Sequence, residues 1–343
     1  MWDGGLAQAG GPPGLTAWPP RPNVTAMESV RVFAPATVGN VICGFDVLGL
    51  ALERPGDEVI ARRSGGVGVI ITAIRGDEGR LPLDPGRNVA GVAASAVVAR
   101  CGLASEGIDL EIRKGLPLAA GMWGSAASAV AAAVATDALL GSKLDKPTLL
   151  ACALEGERVA AGEGHPDNAA PCLYGGIALA RPGNPIDVIQ LPVPSSLAVA
   201  LVHPPHETLT ERGRAVLPER VALHTAVAQM ADVSAFVSAL HAGDMDLLGR
   251  TLVDRLAEPV RRSLVPGFEA VREAALAVNA LGAGISGSGP SMFALCRTLE
   301  DARSAASAMA GAFAAAGLEG ADCHVSTVAS EGAQILADPE HVP

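Results

Sequence analysis

Aromatic residues fill only 3% of the 343 positions, so the interior cannot be built around large rings and must be closed by small and branched side chains. Charge is sparse too, at 18%, and unequal: 36 acidic against 25 basic residues give a formal net charge of −11. Such a chain lacks the basic face that phosphate backbones require, which sets nucleic acid aside as the main partner. A nucleotide is not set aside, because it needs only a local cluster of donors. No C-x-x-C pair occurs among Cys43, Cys101, Cys152, Cys172, Cys296 and Cys323. That excludes zinc-ribbon and thioredoxin-type sites and leaves buried, reduced thiols of a cytosolic (cytoplasmic) protein as the expectation. Long apolar runs are missing as well: the most apolar stretch, 126–140, is too short for a membrane span and is interrupted by Thr136 and Asp137. Residues 1–26 are rich in Gly and Pro, with Trp2 and Trp18, and lack the basic start and apolar run of a signal peptide. They read as a disordered extension over 1–27, or as sequence upstream of a start at Met27.

What is present is Ala, Val and Leu, with 40 glycines for tight loops. The periodicities predict strands at 30–33, within 59–74, at 108–113, 175–180 and 197–203, and a loop over 34–45. Helices are predicted at 89–101, 126–140, 146–161, 221–241, 245–257, 268–281 and 302–316. No repeat of 20–50 residues is visible, which argues against a solenoid. Strands and helices mix without strict alternation, which favours α+β. The turn cluster Pro182-Gly-Asn-Pro185 marks the expected boundary between an N-terminal domain, 28–184, and a C-terminal domain, 185–343.

The strongest local signal is Pro117-Leu-Ala-Ala-Gly121-Met-Trp123-Gly124-Ser125-Ala126-Ala-Ser128. A glycine-rich loop entering a helix presents unpaired backbone N–H groups, at the positive end of the helix dipole, to an anion. It is not a Walker A loop, having no Gly-Lys-Ser/Thr, and it carries no G-x-G-x-x-G. A plain turn before a helix is the structural alternative, and the loop alone does not choose between them. Two more segments bear on the choice: Pro35-Ala-Thr-Val-Gly-Asn40-Val-Ile-Cys-Gly44-Phe-Asp46 near the start and Gly284-Ile-Ser-Gly-Ser-Gly-Pro290-Ser291 near the end. Glycine-rich loops so far apart suggest a site assembled from distant parts of the chain.

In this order and spacing the three segments resemble the three motifs of the GHMP kinases, over about residues 30–329. The resemblance implies a two-domain α+β GHMP kinase fold, with a ribosomal S5 domain 2-like, nucleotide-binding N-terminal domain and a ferredoxin-like C-terminal domain. It also implies transfer of the γ-phosphoryl group of ATP to a substrate hydroxyl with Mg²⁺, chemistry that rests on positioning and charge neutralisation. Within the family, Gly164-His-Pro-Asp-Asn168-Ala-Ala-Pro171, Thr210-x-x-x-Arg214-Ala-Val-Leu-Pro218 and Glu258-Pro-Val-Arg261 resemble the homoserine kinase branch. The implied substrate is L-homoserine, the implied setting threonine biosynthesis, and the implied assembly a homodimer.

Residue by residue, the resemblance gives Arg214 and Arg261 the substrate carboxylate, which planar guanidinium groups grip in two-point fashion. Asn40 and Asp46 bind and orient the amino-acid end. Glu157 is the Mg²⁺ ligand, with Ser125 assisting at metal and phosphates; Glu155 and Glu163 are rival acids nearby. Asn168 orients the hydroxyl, and because an amide is no base near neutral pH, the proton passes to a phosphate oxygen. His165 is read as a substrate contact, its alternative being a structural histidine. Asp167 is not counted, since adjacent residues of an extended turn diverge and it need not reach the substrate. Asn88, Pro117, Gly121, Gly124, Ser125 and Ala126 fall to the nucleotide.

The sequence also departs from the family pattern. Trp123 stands where the phosphate loop usually has glycine, Gly124 where serine is commoner, and Val38-Gly-Asn40-Val-Ile42-Cys43 where Ser-Ala-Asn-Leu-Gly-Pro is commoner. A side chain at such a glycine is costly if the backbone needs positive φ or close approach to phosphate. Two further readings therefore stay open: a GHMP kinase for another hydroxyl substrate, and a GHMP-fold binding protein without turnover.

Overall fold

The computed structural model describes residues 28–118, 124–207 and 210–337; the expected N-terminal extension lies outside them. The first half contains β1 (Ser29–Gly39), β2 (Leu48–Ser64), β3 (Gly68–Arg75), α1 (Val89–Arg100), β4 (Gly107–Arg113), α2 (Gly124–Leu140), α3 (Lys146–Ala161), α4 (Pro166–Tyr174), β5 (Ile177–Arg181) and β6 (Asp187–Leu191). The second half contains β7 (Ala198–His203), α5 (Thr210–Ala215), α6 (Leu223–Ala242), α7 (Met245–Thr251), α8 (Glu258–Arg261), α9 (Phe268–Ala277), β8 (Gly282–Ile285), β9 (Met292–Cys296), α10 (Leu299–Ala315), β10 (Asp322–Thr327) and β11 (Gln334–Leu336). One sheet has the order β11-β1-β2-β4-β3, with β5 on β2 and β6 on β5; the other has the order β10-β7-β9-β8. This is the α+β mixture of helices and strands expected from the sequence.

The turn at 182–185 joins β5 to β6, which pair Arg181 with Asp187. It is a hairpin loop within the first sheet and not the junction between domains. The chain leaves that sheet after Leu191 and returns at β11, which pairs with β1. The strand read at 30–33 continues to Gly39, because alternate small apolar residues keep 34–38 fully buried. The residues read as an extended turn around Asp167 form α4. Pro166 occupies its first turn, where a missing N–H costs nothing.

The core is set by α2, whose residues 126–139 are buried all round. A helix apolar on every side belongs inside, and its alanines let α1, α3 and the sheet approach closely. Gly156 of α3 continues this: a Cβ there would stand 2.3 Å from the Val89 carbonyl oxygen. The central strands β7 and β9 of the second sheet are buried on both faces in strict alternation. Val199, Leu201, Phe293 and Leu295 join the first core together with Phe236 and Leu240 of α6. Ala198, Ala200, Val202, Met292 and Ala294 pack with Phe268, Met309 and Phe313 of α9 and α10. Among the described residues no helix is long and apolar enough to cross a membrane. All six cysteines are free, and Cys43, Cys152, Cys172 and Cys296 are buried as expected, whereas Cys101 is half-buried and Cys323 exposed.

Gly156→Ala overpacks the α1–α3 contact. It should lower stability by about 1–3 kcal/mol, read as a lower urea midpoint with an unchanged m-value.

Candidate active site

The first motif follows β1 as a left-handed turn. Asn40, Val41 and Ile42 have φ of 69°, 40° and 61°, and the Gly44 N–H donates to the Asn40 carbonyl at 2.8 Å. For the β-branched Val41 and Ile42 this region is sterically unfavourable. The turn is held from outside. Asn40 Oδ1 accepts from the Asp46 N–H at 2.9 Å, and Asn40 Nδ2 donates to the Gly287 carbonyl at 3.1 Å, which ties the first motif to the third. Ile42, at the position where glycine is commoner, lies over Gly284 of the third motif: a Cβ on Gly284 would come 2.9 Å from Ile42 Cγ1.

Two arginines from the second half converge on this turn. Arg214, on α5, makes a two-point ion pair with Asp46, Nη1 to Oδ2 at 2.6 Å and Nη2 to Oδ1 at 2.9 Å. Arg261, on α8, is only 4% exposed; it donates through Nε to the Gly213 carbonyl and through Nη1 to the Gly287 carbonyl, each at 3.0 Å. Both guanidinium carbons lie over the Phe45 ring, at 5.7 Å and 5.2 Å, so one aromatic ring serves two like charges. Burial, and then the neighbouring Arg214, push the Arg261 guanidinium below its ordinary value. Burial alone would lower Arg214 too, but the Asp46 hydrogen bonds turn the balance upward. Sequence reading omitted Phe45, although it stands between two residues of the first motif that were counted.

On the first half, α4 presents Asp167 and Asn168, both buried. Asn168 Nδ2 donates to Asp167 Oδ2 at 3.0 Å, and Asn168 Oδ1 accepts from Thr37 Oγ1 at 3.4 Å. The two side chains are therefore neighbours, and Asp167 does not diverge from the site. Helical geometry replaces the extended turn on which its omission rested. Its Oδ1 has no hydrogen-bond partner. Burial first, then the Asp46 charge, raise the Asp167 carboxyl from 3.8 to about 7, against the opposing pull of His165 and Arg214. Gly39 allows this arrangement: a Cβ there would fall 2.6 Å from Asn168 Oδ1 and 2.8 Å from Asp167 Oδ2.

Of the three glutamates considered on α3 and just beyond it, Glu157 alone is buried, at 1% exposure; Glu155 pairs with Arg100 at the surface and Glu163 is exposed. Glu157 Oε1 has no hydrogen-bond partner, and its Oε2 lies 3.9 Å from Nδ1 of the buried His165. A buried carboxylate oxygen left unpaired suits a cation ligand. Ser125 and Gly124 form the start of α2, half-buried, followed by the buried Ala126, with Pro117 half-buried before the loop. Gly121 and Trp123 lie outside the described residues. Asn88 caps α1, Oδ1 accepting from the Ala90 N–H at 3.0 Å, and donates to the Pro82 carbonyl at 2.9 Å. It therefore shapes the loop before α1.

The site thus draws on β1, α2, α3, α4, α5, α8 and the 284–291 loop. The family of the GHMP kinases N terminal domain matches residues 88–176, and that of the GHMP kinases C terminal domain matches 236–315. The chain is 45% identical over 320 residues to a homoserine kinase of Chlorobium phaeobacteroides, covering 90% of this chain and 100% of that protein. With a homoserine kinase of Chlorobium phaeovibrioides the identity is 47%, with the same coverage. The chain belongs to the homoserine kinase family of GHMP kinases. A crystal structure of homoserine kinase from Cytophaga hutchinsonii superposes with a TM-score of 0.88 at 46% identity, covering 92% of this chain and 99% of that one. Membership accounts for the two-domain fold and for the spacing of the three motifs.

Asp167 gives a pH test of the site. Its proton is held to about pH 7 in the folded protein, against an ordinary 3.8. Between those values the folded state binds more protons than the unfolded one, so this residue's contribution to stability falls as pH rises from about 4 to about 7. Asp167→Asn removes that fall. The variant should gain stability relative to wild type on going from pH 5 to pH 8 in urea titrations; a constant difference would contradict the raised carboxyl.

Proposed function

We propose that this chain transfers the γ-phosphoryl group of ATP to the side-chain hydroxyl of L-homoserine, giving O-phospho-L-homoserine. The observation that carries the reading is the meeting of Arg214 and Arg261 over Phe45, beside Asp46. Homoserine has a carboxylate, an ammonium and a terminal hydroxyl. The carboxylate suits the guanidinium pair and the ammonium suits Asp46. Homoserine entering between Asp46 and Arg214 exchanges one ion pair for two, so the protein's own charges are not left unpaired in the half-buried site. The hydroxyl then faces Asn168, whose amide is turned by Thr37 and Asp167. Asn168 orients it, and its proton goes to a phosphate oxygen.

ATP belongs at the start of α2, where the helix offers unpaired N–H groups and Ser125 a hydroxyl. Glu157, with its unpaired buried oxygen, and Ser125 are the residues that would hold Mg²⁺, which neutralises phosphate charge when bound. His165, at the start of α4 with its Nδ1 3.9 Å from Glu157 Oε2, is the further residue this reading gives to the substrate. The same reading places the protein in threonine biosynthesis, in the cytoplasm and as a homodimer, on the strength of the family.

The test is ADP release with Mg-ATP and L-homoserine, with L-threonine, mevalonate and galactose as separate acceptors, on wild type and Trp123→Gly. Homoserine-dependent turnover by wild type supports the proposal. Turnover with mevalonate or galactose alone moves the protein to another GHMP substrate. Silence of both folded proteins makes it a binding protein. In active enzyme, Arg261→Lys keeps the charge but loses the planar fork. It should raise the KM for homoserine by about tenfold or more and leave the KM for ATP within about twofold.

A further inference from the structure

A buried charged network lies beneath the start of α2, and neither the motifs nor the substrate site calls for it. The β2–β4 ladder reaches the Glu58–Arg113 pair. The next residues outward, Asp57 and Lys114, meet in the interior with side chains 0% and 2% exposed. Lys114 Nζ donates to Asp57 Oδ2, to the Gly124 carbonyl at 2.7 Å and to Ser128 Oγ at 3.0 Å. Ser128 Oγ donates to Asp57 Oδ2 at 2.7 Å, and the Gly115 N–H donates to Asp57 Oδ1 at 3.0 Å.

An ammonium has three protons, and here each has an acceptor, so none is left for a phosphate. Both carboxylate oxygens are also engaged. A buried ion pair adds little stability over apolar packing of the same volume, and in an alanine-lined core its effect is to fix geometry. The two points it grips on α2, Gly124 and Ser128, are four residues apart, one helical turn. Holding both sets the position of the first turn and its rotation about the helix axis. Gly124 fits the same arrangement: a Cβ there would stand 3.0 Å from Lys114 Nζ, so the ammonium fills the space a side chain would take where serine is commoner.

We propose that Lys114, with Asp57 and Ser128, is the positioning element of the nucleotide site, holding the first turn of α2 so that its free N–H groups face the phosphates. This rests on the assignment of ATP to that turn. Lys114 acts through the helix and touches no substrate.

Lys114→Met alone would strand a buried carboxylate, so the decisive variants are two. Asp57→Asn/Lys114→Met removes both charges together, and Ser128→Ala keeps the ion pair and cuts one tether. Each is assayed for kcat, for the KM of ATP and of homoserine, for ADP affinity by titration calorimetry, and for its unfolding midpoint. The double variant should weaken ADP binding and raise the ATP KM by about tenfold or more, the loss of roughly one charge-assisted contact. Ser128→Ala should do so by less, and the homoserine KM should stay within about twofold in both. Unchanged ADP affinity and ATP KM in the folded variants would overturn the proposal. So would a fall in activity that only follows the loss of folded protein. If the double variant does not fold, Ser128→Ala decides alone. Wild-type protein that binds ADP but does not phosphorylate homoserine would overturn the reaction assigned above, while the ADP affinities would still decide the role of Lys114.

Discussion

A helix almost without side chains sets the layout of the first half. Because α2 is lined by alanine, sheet and helices can close on it from every side, and its axis runs through the interior instead of along the surface. A buried helix still begins with N–H groups that have no partner within it. From below, Lys114 and Asp57 hold that end through the Gly124 carbonyl and the Ser128 hydroxyl.

The second half supplies what the first lacks. Arg214 and Arg261 reach the first-motif turn from α5 and α8, and Gly287 takes hydrogen bonds from both Asn40 and Arg261. One carbonyl therefore fixes a residue from each half. Left-handed backbone at Val41 and Ile42 is tolerable because packing determines it from both sides: Ile42 lies over Gly284, and Val41 is fully buried. The charges at the site are balanced by neighbours across this junction, with Asp46 paired to Arg214 and Phe45 beneath both arginines.

Much of this was legible in the sequence, and the omissions have physical causes. Helices α1, α2 and α3 emerged close to their observed bounds, because runs of alanine and valine flanked by Asn88 or Asp145 caps leave little choice. Strand β1 was cut short at the start of its motif, since small residues there resemble a loop until both faces are seen to be covered. Residues 182–185 were taken for a domain junction because turn chemistry is the same in a hairpin as in a linker. At the site, the candidate residues came from the resemblance of the three motifs to the GHMP kinases, carried over residue by residue. Asp167 was set aside because its segment was read as an extended turn, although Pro166 is compatible with a helix start that brings it to the site. Phe45 and Thr37 were missed because contacts to an aromatic face or a lone hydroxyl have no sequence spacing of their own. Lys114 follows Arg113 at the end of a strand and before a glycine loop, and nothing local signals that Asp57 waits beneath it.

The return of β11 to β1 has a consequence for how the protein is made. β11 covers Arg31–Phe33 through Gln334–Leu336, so the strand partners lie about 300 residues apart. On the ribosome, β1 has β2 beside it early, yet its other edge stays uncovered until β11 has emerged. An open strand edge is a template for pairing with other chains, and late long-range pairing is slow. The short, three-residue β11 thus acts as the last stitch of the first sheet. Until it is in place, the newly made chain carries an open strand edge at β1.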